Sequence, residues 1–290
     1  MRGLIILFVF FCASAWADIT VRDDAGRAVR LAQPATRILS LSPDMTENLF
    51  AIGVGDRVVG TVEFSNYPPP ARALPRIGGY ERIDLEAALA LKPDLVIAWQ
   101  SGNSPQQVAK LIALGLPVYL AQPGRIEDVT TTLERLGELT GAGAAAQTVA
   151  ARFAARVAAL RARYGERPTV RSFYQVWDRP LTTIGGRQAI SDALRLCGGE
   201  NIFAHLKPLA AEVTLEAVLE ADPEAIIASG MDEARPQWLD AWRRWPALTA
   251  VARNNLFFVP PDHLQRHTPR LADGITALCA HLETARARRR

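Results

Sequence analysis

The fourteen residues LEAALALKPDLVIA (85–98) return 130 positions later as LEAVLEADPEAIIA (215–228), with seven of the fourteen unchanged. Each copy reads as a short helix, a turn and a buried strand. Asp84 or Thr214 is placed to cap the helix, Pro93 or Pro223 marks the turn, and the run that follows is apolar. A unit that occurs once in each half of a 290-residue chain predicts two related halves. The length suffices for two lobes, each with a core of its own.

The surrounding pattern sets the class of both halves. RILSLS (37–42) alternates apolar and polar residues as a strand does, Ser42-Pro43 opens a helix that stops at Gly53, and DRVVGT (56–61) reads as a second strand. SNYPPPARALP is too proline-rich for either element and is expected to be a loop. After the first repeat come a helix over NSPQQVAKLIALG, a strand over LPVYLAQ and a helix over RIEDVTTTLERLGELTG. The alternation resumes with a strand at RSFYQVW (171–177), a helix ending at Gly198-Gly199, helix over QWLDAWRRWPALTAVARN, a strand at LFFVP and a last helix opening at Thr268-Pro269. Strands alternating with helices predict parallel sheets covered on both faces.

Between the halves the rhythm breaks. Residues 144–165 hold no proline and are rich in strong helix formers, with Val149, Phe153, Val157 and Leu160 at helical spacing. A helix of that length spans about 30 Å. The expected fold is therefore α/β, with two Rossmann-like lobes, residues 18–142 and 167–285, joined by one long helix over 143–166.

The two ends of the chain stand apart from that plan. Arg2, the apolar run LIILFVFF and the small-residue site AWA have the form of a secretory leader ending at Ala17. The run is too short to span a membrane, and no later stretch qualifies, so no membrane insertion is expected. Cys12, behind Phe10 and Phe11, lacks the small residues of a lipid-anchor site. Export leaves Cys197 and Cys279, and an oxidising compartment favours a disulfide over two buried thiols. Residues 286–290 read as a basic, frayed tail. With Arg2 and the four terminal arginines set aside, the formal charge of +3 becomes −2, which gives nucleic-acid binding no support.

Enzyme signatures are missing. The chain has no G-x-S-x-G elbow, no H-E-x-x-H and no P-loop, and in GVGDRVVG (53–60) the third glycine comes too late for a dinucleotide fingerprint. His263 and His267, four apart, could share a helix face, but no motif supplies a third metal ligand. Axial ligation of a chelated metal by one of them stays open.

Five stretches together, SLSPDMTE, SNYPP, DLEAALALKPDLVIAWQSGN, CGGENIF and PDHLQRHTPR, resemble the periplasmic cobalamin-binding proteins of ABC importers. These belong to the helical-backbone, class III substrate-binding proteins. The resemblance runs over essentially the whole mature chain. It implies a receptor, not an enzyme, that holds cobalamin or a related corrinoid as ligand, without a cofactor, for a dimeric permease. Carried over residue by residue, it places Phe64, Tyr80 (where the family has a tryptophan) and Trp99 against the ring. Asp262 and Arg266 hold polar groups from the second lobe, and Glu86 and Glu216, one per lobe, dock onto permease arginines. The sequence departs from the family near Ala210 and near Leu181 and Thr182, where cleft aromatics are missing. Trp177 is a candidate substitute. Those departures keep haem, a ferric siderophore or another metal chelate open as the ligand.

Overall fold

The computed structural model describes residues 18–230 and 234–289. The expected leader, with Cys12, lies outside them. Each half builds a four-stranded parallel sheet. In the first the order is Val58–Thr61, Ile38–Ser40, Leu95–Trp99, Val118–Ala121. In the second it is Gly199–Asn201, Val170–Gln175, Ala225–Ala228, Leu256–Phe258. The two orders are the same, with each half's second parallel strand at one edge and the repeat's strand third. The duplicated sequence is thus a duplicated position in the fold.

Parallel strands bury both faces, and successive side chains point to opposite ones. Ile38, Leu95 and Ile97 of the first sheet, and Val170, Tyr174, Ala225 and Ile227 of the second, fall in one apolar cluster. Their neighbours Leu39, Val96 and Ala98 form a separate cluster outside the first sheet. Phe173, Ile226 and Ala228 do the same outside the second. The inner faces therefore belong to one continuous core.

The helix Gly143–Tyr164 runs through that core. Its buried stripe is Ala146, Ala150, Phe153, Val157 and Tyr164. Phe153 and Val157 match the expected stripe, whereas Val149 and Leu160 are only partly buried beside it. Ala146 and Ala150 are buried in place of Val149, where the helix Asp128–Thr140 packs closely, and Tyr164 is buried in place of Leu160.

Several short elements differ from the sequence reading. An antiparallel hairpin, Ile19–Arg22 with Ala28–Leu31, precedes the first expected strand. Its turn is set by Asp23, which accepts from the Arg27 backbone N–H at 2.7 Å and from its Nε at 2.9 Å. The strand expected over 171–177 ends at Gln175. Trp177–Asp178 instead starts an antiparallel ribbon with Leu181–Ile184 and Ala210–Glu212. The ribbon's segments WD, LTTI and AAE show neither an apolar run nor an alternation that would mark a strand. The segment Gln237–Arg244 is a 3-10 helix, and Pro246 separates it from the single turn Thr249–Ala252. A 3-10 turn, Pro69–Ala73, lies within the expected loop, and the final helix begins at Leu271, two residues beyond Pro269.

The basic end is not frayed where it is described. The final helix runs to Ala287. Arg286 donates to the carbonyls of Pro168 (2.7 Å), Cys197 (2.7 Å) and Gly198 (2.8 Å). Arg288 donates to Asn254 O at 2.6 Å, and Arg289 grips both oxygens of Glu224 at 2.8 Å. An arginine run reads as solvated because its acceptors lie far away in sequence.

Cys197 and Cys279 form a disulfide that ties the end of the helix Ala189–Leu196 to the final helix. Its sequence separation of 82 corresponds to about 4.5 kcal/mol of removed chain entropy. The Cys197→Ala, Cys279→Ala variant is expected to fold and to lose about 2–4 kcal/mol in denaturant unfolding. An unchanged midpoint would contradict this.

Candidate ligand cleft

In open α/β sheets, ligand sites lie beyond the carboxyl ends of the strands. The strand Val58–Thr61 leads directly to Glu63 and Phe64. Phe64 is 59 % exposed and sits at φ 63°, a region that side-chain-bearing residues avoid. Such a backbone costs on the order of 1–3 kcal/mol and persists only when its surroundings hold it. Two sets of bonds do so. Beneath the loop, buried hydroxyls form a chain in which Ser65 meets Thr61 at 2.8 Å, Thr61 meets Thr46 at 2.7 Å and Thr46 donates to Ser40 at 2.9 Å. From the second half of the chain, Arg266 donates to Phe64 O at 2.9 Å and to Asn66 Oδ1 at 2.8 Å. An aromatic ring is thereby presented outward on a rigid support.

Tyr80 follows on the next loop. Gly78, at φ 106°, makes its bend, and a β-carbon there would stand 2.5 Å from Arg82 O. The Tyr80 and Trp99 rings are 5.6 Å apart with their planes at 51°, within the range of favourable aromatic pairs. Asn103 locks the two together. Its amide donates to Tyr80 O at 2.7 Å and to Leu41 O at 2.9 Å, and its Oδ1 accepts from Trp99 N at 2.6 Å. Asn103 ends the quoted stretch AWQSGN, yet sequence reasoning assigned it no part. A lone asparagine after a glycine reads as a turn residue.

Phe64 and Tyr80 line an open cavity of about 850 Å³, together with Glu63, Glu81, Arg82 and Gln107. Trp99 backs Tyr80 without lining that cavity. Asp262 lies on the single helical turn Pro261–Leu264 after the last parallel strand and meets Arg266, just beyond that turn, at 2.8 Å. Their side chains are 14 % and 11 % exposed, so this is not a surface ion pair. Burial lowers the Arg266 pKa from the ordinary guanidinium value, against the pull of Asp262 and Glu47. The five residues thus divide into Phe64 and Tyr80 on the cavity, Trp99 behind them, and a pair bonded to the loop that carries Phe64.

Trp177 is 38 % exposed and lies opposite Thr182 in the antiparallel ribbon, whose third strand begins at Ala210. The two positions without an aromatic and the candidate substitute therefore share one small sheet. Glu86 and Glu216 are exposed in the first turns of equivalent helices, Leu85–Ala90 and Leu215–Ala221. Asp84 caps the first, accepting from Glu86 N and Ala87 N at 3.0 Å, and Thr214 caps the second, accepting from Ala217 N at 3.2 Å. Neither glutamate side chain forms an ion pair among the described residues.

His267 is partly buried, and its Nε2, shielded from solvent, has no hydrogen-bond partner among the described residues. No group of three metal-holding side chains occurs there either.

Two α/β lobes on a shared core, with aromatic side chains at the strand ends of one lobe and an arginine reaching across from the other, define a two-lobed binding protein. The chain belongs to the periplasmic binding protein family, whose model matches residues 38–263. It is 35 % identical over 257 residues to the Vitamin B12-binding protein of Vibrio campbellii, covering 88 % of this chain and 92 % of that one. It is 36 % identical over 253 residues to that of Vibrio cholerae, covering 87 % and 91 %. Among solved structures, the periplasmic vitamin B12 binding protein BtuF of Vibrio cholerae superposes with a TM-score of 0.81 at 35 % identity, over 87 % of this chain and 98 % of that one. The haem-binding protein BhuT, solved with two haems, shares the fold, with a TM-score of 0.77 at 22 % identity over 87 % and 99 %.

Burial lowers the pKa of His267, against the opposing fields of Asp44 and Asp128. It also lowers that of His281, against a hydrogen bond to Phe258 O. Each proton therefore goes first to the unfolded chain. Stability is unaffected above about pH 6.5 and falls below it until the folded pKa is reached, by up to about 1.4 kcal/mol per pH unit for each histidine. The thermal midpoint is expected to drop between pH 7 and pH 5, with a shallower slope in His267→Gln. Equal slopes in the two proteins would contradict the assignment.

Proposed function

We propose that this protein is an exported, periplasmic receptor that takes cobalamin, or a closely related corrinoid, into the cleft between its lobes and delivers it to an ABC importer. The observation that carries the reading is the likeness to vitamin B12-binding proteins along nearly the whole chain, combined with the outward aromatic surface of Phe64 and Tyr80. A corrinoid is a broad ring with amide arms. Aromatic faces can hold the ring, and a few convergent polar groups can orient the arms. In this reading Phe64 and Tyr80 meet the ring, Trp99 stiffens Tyr80, and Asp262 with Arg266 closes the site from the second lobe. The chain acts by binding and release, so it needs no catalytic residue and no cofactor.

Glu86 and Glu216 are the docking groups. Two exposed carboxylates on equivalent helices suit a permease dimer that presents an arginine from each subunit, through charge-assisted bonds. A receptor for haem, a siderophore or another chelate is the competing reading, because cleft aromatics are absent at Ala210 and Leu181.

Calorimetric titration of residues 18–290 with cyanocobalamin, and with haem for comparison, decides between them. One-to-one corrinoid binding with a submicromolar Kd, more than about 8 kcal/mol, is expected. Phe64→Ala should weaken it about tenfold, or about 1.4 kcal/mol. Binding of haem alone would replace the corrinoid reading. The Glu86→Ala, Glu216→Ala variant is expected to bind cyanocobalamin normally and to support no uptake through the importer. Normal uptake would remove the docking assignment.

A further inference from the structure

Glu47 stands on the helix Pro43–Ala51 of the first lobe, and its side chain is 3 % exposed. Its carboxylate accepts from Thr268 Oγ1 at 2.6 Å and from Arg270 Nε and Nη2 at 2.8 and 2.6 Å. Arg266 Nη1 lies 3.8 Å away. All of these partners belong to the second lobe. Asp262 faces the same two guanidinium groups, at 2.8 Å from Arg266 and 3.9 Å from Arg270. Two negative and two positive side chains, none more than 15 % exposed, form a neutral quartet across the lobe boundary.

Each arginine also holds part of the first lobe's cleft loop. Arg266 bonds Phe64 O and Asn66, and the Arg270 guanidinium lies 3.7 Å from the centroid of the Tyr67 ring. Next to Glu47, Asn48 Nδ2 donates to His267 O at 2.9 Å. The lobes also meet between Arg125 and Asp192, but that contact is 3.7 Å long and its arginine is 70 % exposed. Ion pairs of that kind contribute little.

We propose that Glu47 is a positioning residue for the ligand cleft. By holding Arg266 and Arg270 in the buried quartet, it fixes the separation of the lobes and the outward presentation of Phe64. The shared apolar core holds the lobes together without favouring one direction, and a buried polar tie at their boundary adds that direction. Buried ions favour one arrangement strongly, because any displacement strands a charge away from water. Arg266, with Asp262, Asn66 and Phe64 O as partners, shapes the site through the Phe64 loop.

The test uses residues 18–290 with spin labels on Lys110→Cys and Glu220→Cys, two exposed sites on opposite lobes. The parent should give one narrow inter-label distance. Glu47→Gln should broaden or shift it and raise the Kd for cyanocobalamin about tenfold or more. Glu47→Gln with Arg270→Gln removes one charge of each sign. It should recover most of the thermal midpoint and leave the distance broad and the affinity low. An unchanged distance in folded Glu47→Gln overturns the proposal. So does a double variant that regains the narrow distance together with its midpoint, since charge balance alone would then account for Glu47. The affinity arm rests on the corrinoid reading and the distance arm does not. A parent that fails to bind cyanocobalamin therefore removes that reading while the distances still decide the role of Glu47.

Discussion

Two parallel sheets have four faces to keep from water, and the rest of the fold follows from how they are covered. The outer faces each have a cluster of their own, built on Leu39, Val96 and Ala98 in one lobe and on Phe173, Ile226 and Ala228 in the other. The inner faces share one core with the connecting helix, which contributes Ala146, Ala150, Phe153 and Val157. Burial of this kind is proportional to area and indifferent to direction. It holds the lobes together without setting the angle between them. Direction must come from polar groups, and the buried quartet around Glu47 supplies it at the lobe boundary.

The cleft follows the same division of labour. Apolar burial places the strand ends, and directional bonds then aim the side chains that emerge from them. Phe64 is held in an unfavourable backbone region by a hydroxyl chain below and an arginine above. Tyr80 and Trp99 are aligned by one asparagine that bonds the backbone of both. A binding surface gains from being rigid beforehand, because ordering it on binding would subtract from affinity. The residues that do the ordering, Asn103, Ser65, Thr61, Thr46 and Glu47, are buried or nearly so and need not touch the ligand.

The legible part of the sequence was the part governed by local rules. Strand alternation, proline turns and helix caps marked the α/β order, and the proline-free run 144–165 marked the connecting helix, because these signals act within a few residues. Shape matching along that helix was not legible, and Ala146, Ala150 and Tyr164 took the buried positions that periodicity gave to Val149 and Leu160. The ribbon joining Trp177, Thr182 and Ala210 was invisible because WD, LTTI and AAE carry neither an apolar run nor an alternation. The terminal arginines read as a solvated tail because composition cannot reveal that Glu224 and the carbonyl of Gly198 wait for them.

The sequence by itself determined the duplication, the order of elements in each half and the identity of the aromatic and acidic residues at the strand and helix ends. Each of these is written in a window no wider than one helix–turn–strand unit. Only the tertiary structure decided what those residues do to one another. It set Glu47 against Arg270, 223 positions away, brought Arg266 to the backbone of Phe64, 202 positions away, and gave Asn103 two backbones to hold. Hydrogen bonds and ion pairs act over a few ångströms in space, whatever the separation along the chain, so local sequence patterns can name the partners but cannot pair them.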